Sequence, residues 1–532
     1  MTDETVQPPL EGPPLFVPPQ DDWTDPAPDD ARRTYRPSAL SVPSVASSLS
    51  RLGMAIVLVF GGLGLGLGYW QVVQAEALST DPGNPLVQAA TRNAPRGLIF
   101  DVAGTVVADN LPRQNGIRTR TYPIPAMAPV VGYQSLFVGG AGLERTYDAE
   151  LSGLGAFGPG GQFFRKFLSD PYDPASLRLT VDARLQQAAM DALGFDRGAV
   201  VAIDPRNGRI LALASTPSFD PNQLVDPGSG LDYLDSLRDL PSAPLLDRAT
   251  QGRYVPGSVF KIVTAIAGLG SGAIDAGTTY DTQPQEYFDG FRVQGFRIHD
   301  SPRDFQTDHP LDFTEAIEVS SNIYFAHVGL DTGGAAMVEA ASRLGFGSSI
   351  DFELPTSTSQ VNDDLGPIDG FADRVDLANA AYGQSRVLTT PLQMALVAAA
   401  VGNDGTLMHP YLVDRIESSH GQVRSFEPSS MGQVMGGDVA QIIQRAMVTA
   451  VQGEYGQFFT GAAQIPGVTV AGKSGTAELD AGAPHSWFIG FAPADDPVIA
   501  IAVVVEHGGF GSTRAVPMGG DLMQLYLELL GG

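Results

Sequence analysis

Between Leu52 and Tyr69 the chain carries no charged side chain, and Trp70 follows directly. A stretch this long and apolar spans a bilayer more readily than it folds in water. Gly53 and the glycines from Gly61 to Gly68 weaken a helix in water, but glycine is common in helices that cross lipid. Arg32, Arg33, Arg36 and Arg51 precede the stretch, whereas Glu76 and Asp81 follow it. The positive-inside rule then predicts a cytoplasmic tail over 1–50, an anchor over 51–72 and an extracytoplasmic body. Residues 1–50 are rich in Pro, Asp and Ser, which predicts a disordered tail. A cleaved signal peptide, cut near Val73-Gln74-Ala75, is the alternative. The run exceeds a usual signal-peptide core, which favours an uncleaved anchor.

A chain of 532 residues has room for two or three domains. A net charge of −27 argues against nucleic acid as a partner. With no cysteine, disulfide frameworks and thiolate chemistry are excluded. Among the 32 basic residues only Lys166, Lys261 and Lys473 are lysine. Lysine can lose its proton in a protein and arginine cannot, so each lysine invites a reason.

Residues 76–178 hold turns and short apolar runs, which predicts a small non-catalytic domain. From Leu179 the character changes, and 179–532 reads as a second, larger domain. Thr180 to Ala188 reads as an N-capped amphipathic helix. Gly198–Ile203 and Arg209–Ala214 flank Asn207-Gly208 as a hairpin. Val468–Ala471, Trp487–Phe491 and Val498–Val505 are three more strand candidates, and Met518–Leu530 a closing helix. The expected fold class is α+β, an antiparallel five-stranded sheet flanked by helices.

Three short patterns carry chemistry. Ser258 opens an apolar helix after Pro256-Gly257, with Lys261 one turn on along the same face. Buried without a carboxylate, such a lysine tends to be neutral, a base beside a nucleophile. The plain alternative is a serine cap and a snorkelling lysine. Ser320-Ser321-Asn322 offers a hydroxyl and an amide from one turn, or is an ordinary turn. Lys473-Ser474-Gly475-Thr476 ends a strand candidate with an ammonium, two hydroxyls and a bare backbone along which a peptide can lie. Two of the three lysines thus fall beside a serine in these patterns. His485 reads as a surface or packing residue, and Glu144 and Asp101 as structural.

In this order and spacing, Ser-x-x-Lys, Ser-x-Asn and Lys-Ser-Gly resemble the penicillin-recognising serine acyltransferases. Arg96-Gly-Leu-Ile-Phe-Asp101 and Gly142-Leu-Glu-Arg-Thr-Tyr147 resemble N-terminal motifs of class B penicillin-binding proteins. Gly198–Ser215, Tyr382-Gly-Gln384, Thr390–Met394 and Trp487–Pro493 resemble their transpeptidase domain. The segment ahead of that domain is short for the class, Ser474 stands where many relatives carry Thr, and C-terminal repeat modules are not expected. The resemblance implies a D,D-transpeptidase acting on peptidoglycan stem peptides and acylated by β-lactams, with no metal or cofactor. It implies Ser258 as nucleophile, Lys261 as base, Ser320 as proton relay and Lys473 as the neighbouring cation. Asn322, Ser474, Gly475 and Thr476 are implied as substrate-binding, and a polytopic lipid II glycosyltransferase as a membrane partner. A β-lactamase on the same fold, or a penicillin sensor or scaffold, is the rival reading.

Overall fold

The computed structural model describes residues 44–74, 96–112, 118–153, 174–302, 309–363, 366–418 and 420–531. Most of the expected tail, and Lys166, lie outside them. The chain divides into two units, 1–73 and 74–532.

In the first unit, α1 (Val45–Gly68) is a 24-residue helix with no buried residue. At 1.5 Å per residue it is about 36 Å long, enough to cross a ~30 Å hydrocarbon core. It starts earlier than the expected boundary at residue 51, because the Ser44 side chain accepts the Ser47 N–H and caps it there.

The strands of the second unit that concern the site are β1 (Ile99–Phe100), β2 (Val106–Pro112), β3 (Arg118–Thr121), β4 (Ala175–Leu179), β5 (Gly198–Ile203), β6 (Ile210–Thr216), β7 (Phe291–Val293), β8 (Phe296–Ile298), β9 (Val413–Ser418), β10 (Val423–Ser425), β11 (Ala471–Ala477), β12 (His485–Ala492) and β13 (Ile499–Val505). The helices that flank them are α2 (Ala183–Leu193), α3 (Lys261–Ser271), α4 (Asn322–Thr332), α5 (Pro391–Gly402) and α6 (Ala515–Gly531).

The expected five-stranded antiparallel sheet is present, in the order β11-β12-β13-β5-β6. The runs of β5, β6, β12 and β13 are largely apolar because both faces are covered. Side chains alternate between two cores. Val201, Ala502 and Val504 join α5 on one face. Val200, Ile501 and Val503 join α2 and α6 on the other. A six-stranded sheet runs β10-β9-β4-β1-β2-β3. There β4 pairs with both β1 and β9, so this sheet draws strands from both sides of the expected boundary at 178.

One strand differs from expectation. Val468–Ala471 was the expected strand, but β11 runs Ala471–Ala477 and Val468 sits in a bridge to Ile465. The polar Lys473-Ser474-Gly475-Thr476 are the strand itself. They occupy the sheet edge, where alternate polar side chains can face a cleft.

Glu144 is fully buried between Arg96 and Arg120, at 2.7 Å from the first. Burial pushes its carboxyl upward, but the two guanidiniums outweigh this and hold it below its ordinary value. Glu144→Gln leaves two arginines facing a neutral amide. We expect it to lower unfolding free energy by about 3–5 kcal/mol, measured by urea denaturation at neutral pH. Because the folded carboxyl titrates low, the gap to wild type should narrow as pH falls through the acid range.

Candidate active site

The site is built where the start of α3 meets the edge strand β11. Gly257–Phe260 forms a 3₁₀ turn that runs straight into α3. Ser258 lies in that turn and is half-buried, whereas Lys261 is fully buried. Three contacts fix the turn. The Gly257 N–H donates to Gly383 O at 2.9 Å. The Trp487 indole N–H donates to Val255 O at 3.0 Å. Gly257 has φ +57°, and a Cβ there would lie 2.6 Å from Thr476 O. Only glycine lets the two backbones run this close. Gly475 serves the same purpose from the strand, since a Cβ would meet Val259 and Pro256 at 3.0 and 3.1 Å.

Lys261 Nζ donates to Ser320 O at 2.7 Å and to Asn322 Oδ1 at 2.8 Å. Both oxygens can only accept, so two of its hydrogens are committed. Ser258 Oγ lies 2.9 Å from the same nitrogen. Ser320 Oγ is 3.3 Å away and also receives a hydrogen bond from Lys473 Nζ at 2.8 Å. A continuous polar chain therefore joins Ser258, Lys261, Ser320 and Lys473. Ser320 holds a left-handed backbone, φ +58°, which a non-glycine residue adopts at a cost of about 1–3 kcal/mol. The loop is pinned by Asp300, whose carboxylate accepts from Ser321 Oγ and from the Ile323 N–H at 3.0 Å.

Lys473 is fully buried, and burial alone pushes its ammonium down to about 7. It is thus a titrating cation near neutral pH rather than a permanent one. On the same strand, Ser474 Oγ accepts from the Thr460 hydroxyl at 3.2 Å, and Thr476 Oγ accepts from the Gly511 N–H at 3.2 Å. Each hydroxyl is engaged as an acceptor, which leaves its own proton free to donate. All eight expected site residues thus lie on the turn and the first residue of α3, on the Ser320 loop and the first residue of α4, or on β11.

His485 packs its ring edge-on against Tyr254, and burial with His507 alongside pushes it down to about 4. It is a neutral packing residue. Gly383 is the middle residue of the Tyr382-Gly-Gln384 run, whereas Thr460 and Asp300 went unnoticed in the sequence. They carry no motif and reach the site only through tertiary folding.

Residues 198–524 match the family model described as the penicillin binding protein transpeptidase domain. The chain belongs to the penicillin-binding protein transpeptidase family. Ahead of that match, residues 96–164 match the penicillin binding protein A dimerisation domain, as in class B members of the family. The peptidoglycan D,D-transpeptidase PbpA of Mycolicibacterium smegmatis is 35% identical over 89% of this chain and 97% of its own length. The peptidoglycan D,D-transpeptidase MrdA of Acinetobacter baumannii is 32% identical over 65% of this chain and 53% of its own length. Penicillin-binding protein A from M. tuberculosis, solved as its penicillin G acyl-enzyme complex, superposes with a TM-score of 0.73 at 31% identity, covering 82% of this chain and all of that one.

Proposed function

We propose that this chain is a peptidoglycan D,D-transpeptidase whose nucleophile is Ser258. The observation that carries the reading is the environment of Lys261 Nζ. Two acceptors take two of its hydrogens, and Ser258 Oγ lies 2.9 Å away, nearer than Ser320 Oγ at 3.3 Å. A neutral amine in that setting turns its lone pair on the hydroxyl and takes its proton.

Ser258 Oγ attacks the penultimate carbonyl of a stem peptide ending in D-Ala-D-Ala. The N–H groups of Ser258 and Thr476 stabilise the oxyanion. Lys261 takes the proton, and Ser320 relays it to the leaving amine, which departs as D-Ala. The amine of a neighbouring stem then attacks the ester and the relay runs in reverse. Asn322 holds Lys261 and the donor's amide, and Gly475 lets the donor backbone lie along β11. Ser474 and Thr476 donate their free hydroxyl protons to the terminal carboxylate. Lys473 supplies positive charge that keeps Lys261 deprotonated.

The tail is cytoplasmic and 179–532 is the transpeptidase portion outside the membrane, with 76–178 as its pedestal. A polytopic lipid II glycosyltransferase supplies the strands to be joined. The charge asymmetry around α1 supports this orientation.

Two expected outcomes test the reading. The relay is made of lysines, a hydroxyl and an amide, so a carboxylate that activates water is not part of it. The penicillin acyl-enzyme should therefore last many minutes, as followed by gel fluorescence after a chase. Release at several per second would point to a hydrolase. Lys473 should also leave a mark on the pH profile. Its charge is present below about pH 7 and lost as pH rises through that value. The acylation rate constant should fall along an alkaline limb near pH 7. Lys473→Arg, which stays charged, should be slower by about 10²-fold but lack that limb. A limb that persists in the variant assigns it to another group.

A further inference from the structure

The β7–β8 hairpin stands beside the site, yet no step of the proposed mechanism uses it. Its two-residue turn, Gln294-Gly295, has positive φ at both positions, the geometry that best matches strand twist. Register places Arg292 directly opposite Arg297. Cross-strand partners share a face, with Cβ atoms about 4.5–5.5 Å apart, and like charges so placed repel. Both arginines are exposed. Among the described residues neither is in an ion pair, although acids outnumber bases 59 to 32.

The rest of the hairpin is fixed. On the opposite face Val293 and Ile298 are buried, and the Phe291 ring stacks on His327 at 3.8 Å. The stem of Arg297 lies across Gly290. A Cβ on Gly290 would come within 2.4 Å of its Cγ and 2.8 Å of its Cδ. This seats the side chain before any ligand arrives. The exit strand then reaches the site, where His299 O accepts the Asn322 side-chain N–H at 3.0 Å. Asn322 in turn holds Lys261. Arg297 is two residues from His299, about 7 Å along an extended strand.

We propose that Arg292 and Arg297 form a clamp for a carboxylate of the peptide substrate, distinct from the terminal carboxylate given to Ser474 and Thr476. The inference rests on the transpeptidase reading. Two unpaired guanidiniums on one face attract an anion that neither binds alone, and planar guanidiniums suit a carboxylate. On an otherwise acidic protein such a pair selects the peptide's acidic group at the rim of the cleft. Either the donor or the acceptor stem can carry that group.

The test uses the full-length protein in detergent and soluble stem peptides ending in D-Ala-D-Ala. Each peptide is made with one free side carboxylate or with its carboxamide, first on the donor and then on the acceptor. Rates are expressed relative to acylation by penicillin G for wild type, Arg292→Gln, Arg297→Gln, the double variant and Arg297→Lys. In the double variant kcat/KM for the carboxylate peptide should fall by about tenfold, mainly through KM, with the carboxamide peptide changed by less than about twofold. Arg297→Lys should restore part of the loss, and added salt should erase the wild-type preference. The arm that shows the effect identifies the stem that is held. Equal loss on carboxylate and carboxamide peptides, or a wild type that does not distinguish them, overturns the clamp. A wild type that penicillin G does not acylate overturns the transpeptidase reading, and the clamp with it.

Discussion

Ser258→Ala is expected to abolish covalent labelling by penicillin and to lower peptide turnover by on the order of 10⁴-fold or more, the scale of losing a serine nucleophile. Ser258 is half-buried in a turn held by Gly383, Trp487 and Thr476 through backbone and indole contacts. Removing one hydroxyl leaves those contacts in place. The hydrogen bond lost, to Lys261 at 2.9 Å, is one of several on that amine, so thermal stability should change little. The measurement is fluorescent-penicillin labelling of wild type and variant at matched stability. Labelling that persists and maps to another serine would remove Ser258 from the mechanism.

Lys261→Arg should be nearly as damaging, with acylation slowed by on the order of 10⁴-fold. The chain places arginine at most of its 32 basic positions, and the proposed base role gives lysine here a reason, a removable proton. The structure sharpens that argument. Lys261 Nζ has two fixed acceptors, Ser320 O and Asn322 Oδ1, and then Ser258 Oγ. An arginine can satisfy the acceptors but has no lone pair for the hydroxyl. The check is the acylation rate constant after both proteins show the same thermal midpoint. A rate near wild type would mean that lysine is not the base.

Much of the catalytic sheet was legible in the chain. Gly198–Ile203 and Val498–Val505 are apolar at every turn of the strand because both faces are covered, and such runs announce themselves. The edge strand did not. Hydropathy pointed to Val468–Ala471, whereas β11 is the polar run that follows, held by its register with β12. An edge strand that lines a cleft hides from a search for apolar residues. The candidate site residues could be picked out because a nucleophile and a base that work together stand one helical turn apart, which leaves a spacing in sequence. Thr460, which bonds Ser474, and Asp300, which pins the Ser320 loop, leave no such spacing. Their partners are distant along the chain, and only the fold brings them together. The charge state of Lys473 was equally hidden. Sequence marks a lysine, but its full burial is what brings its titration to about 7.

The most direct measurement of the central claim is mass spectrometry of the intact protein after brief exposure to penicillin G, followed by peptide mapping. The expected result is one stoichiometric adduct of the whole drug mass, stable for many minutes and carried by the peptide that contains Ser258. An adduct on any other residue, or none at saturating drug, would contradict the assignment of Ser258 as the acylated serine.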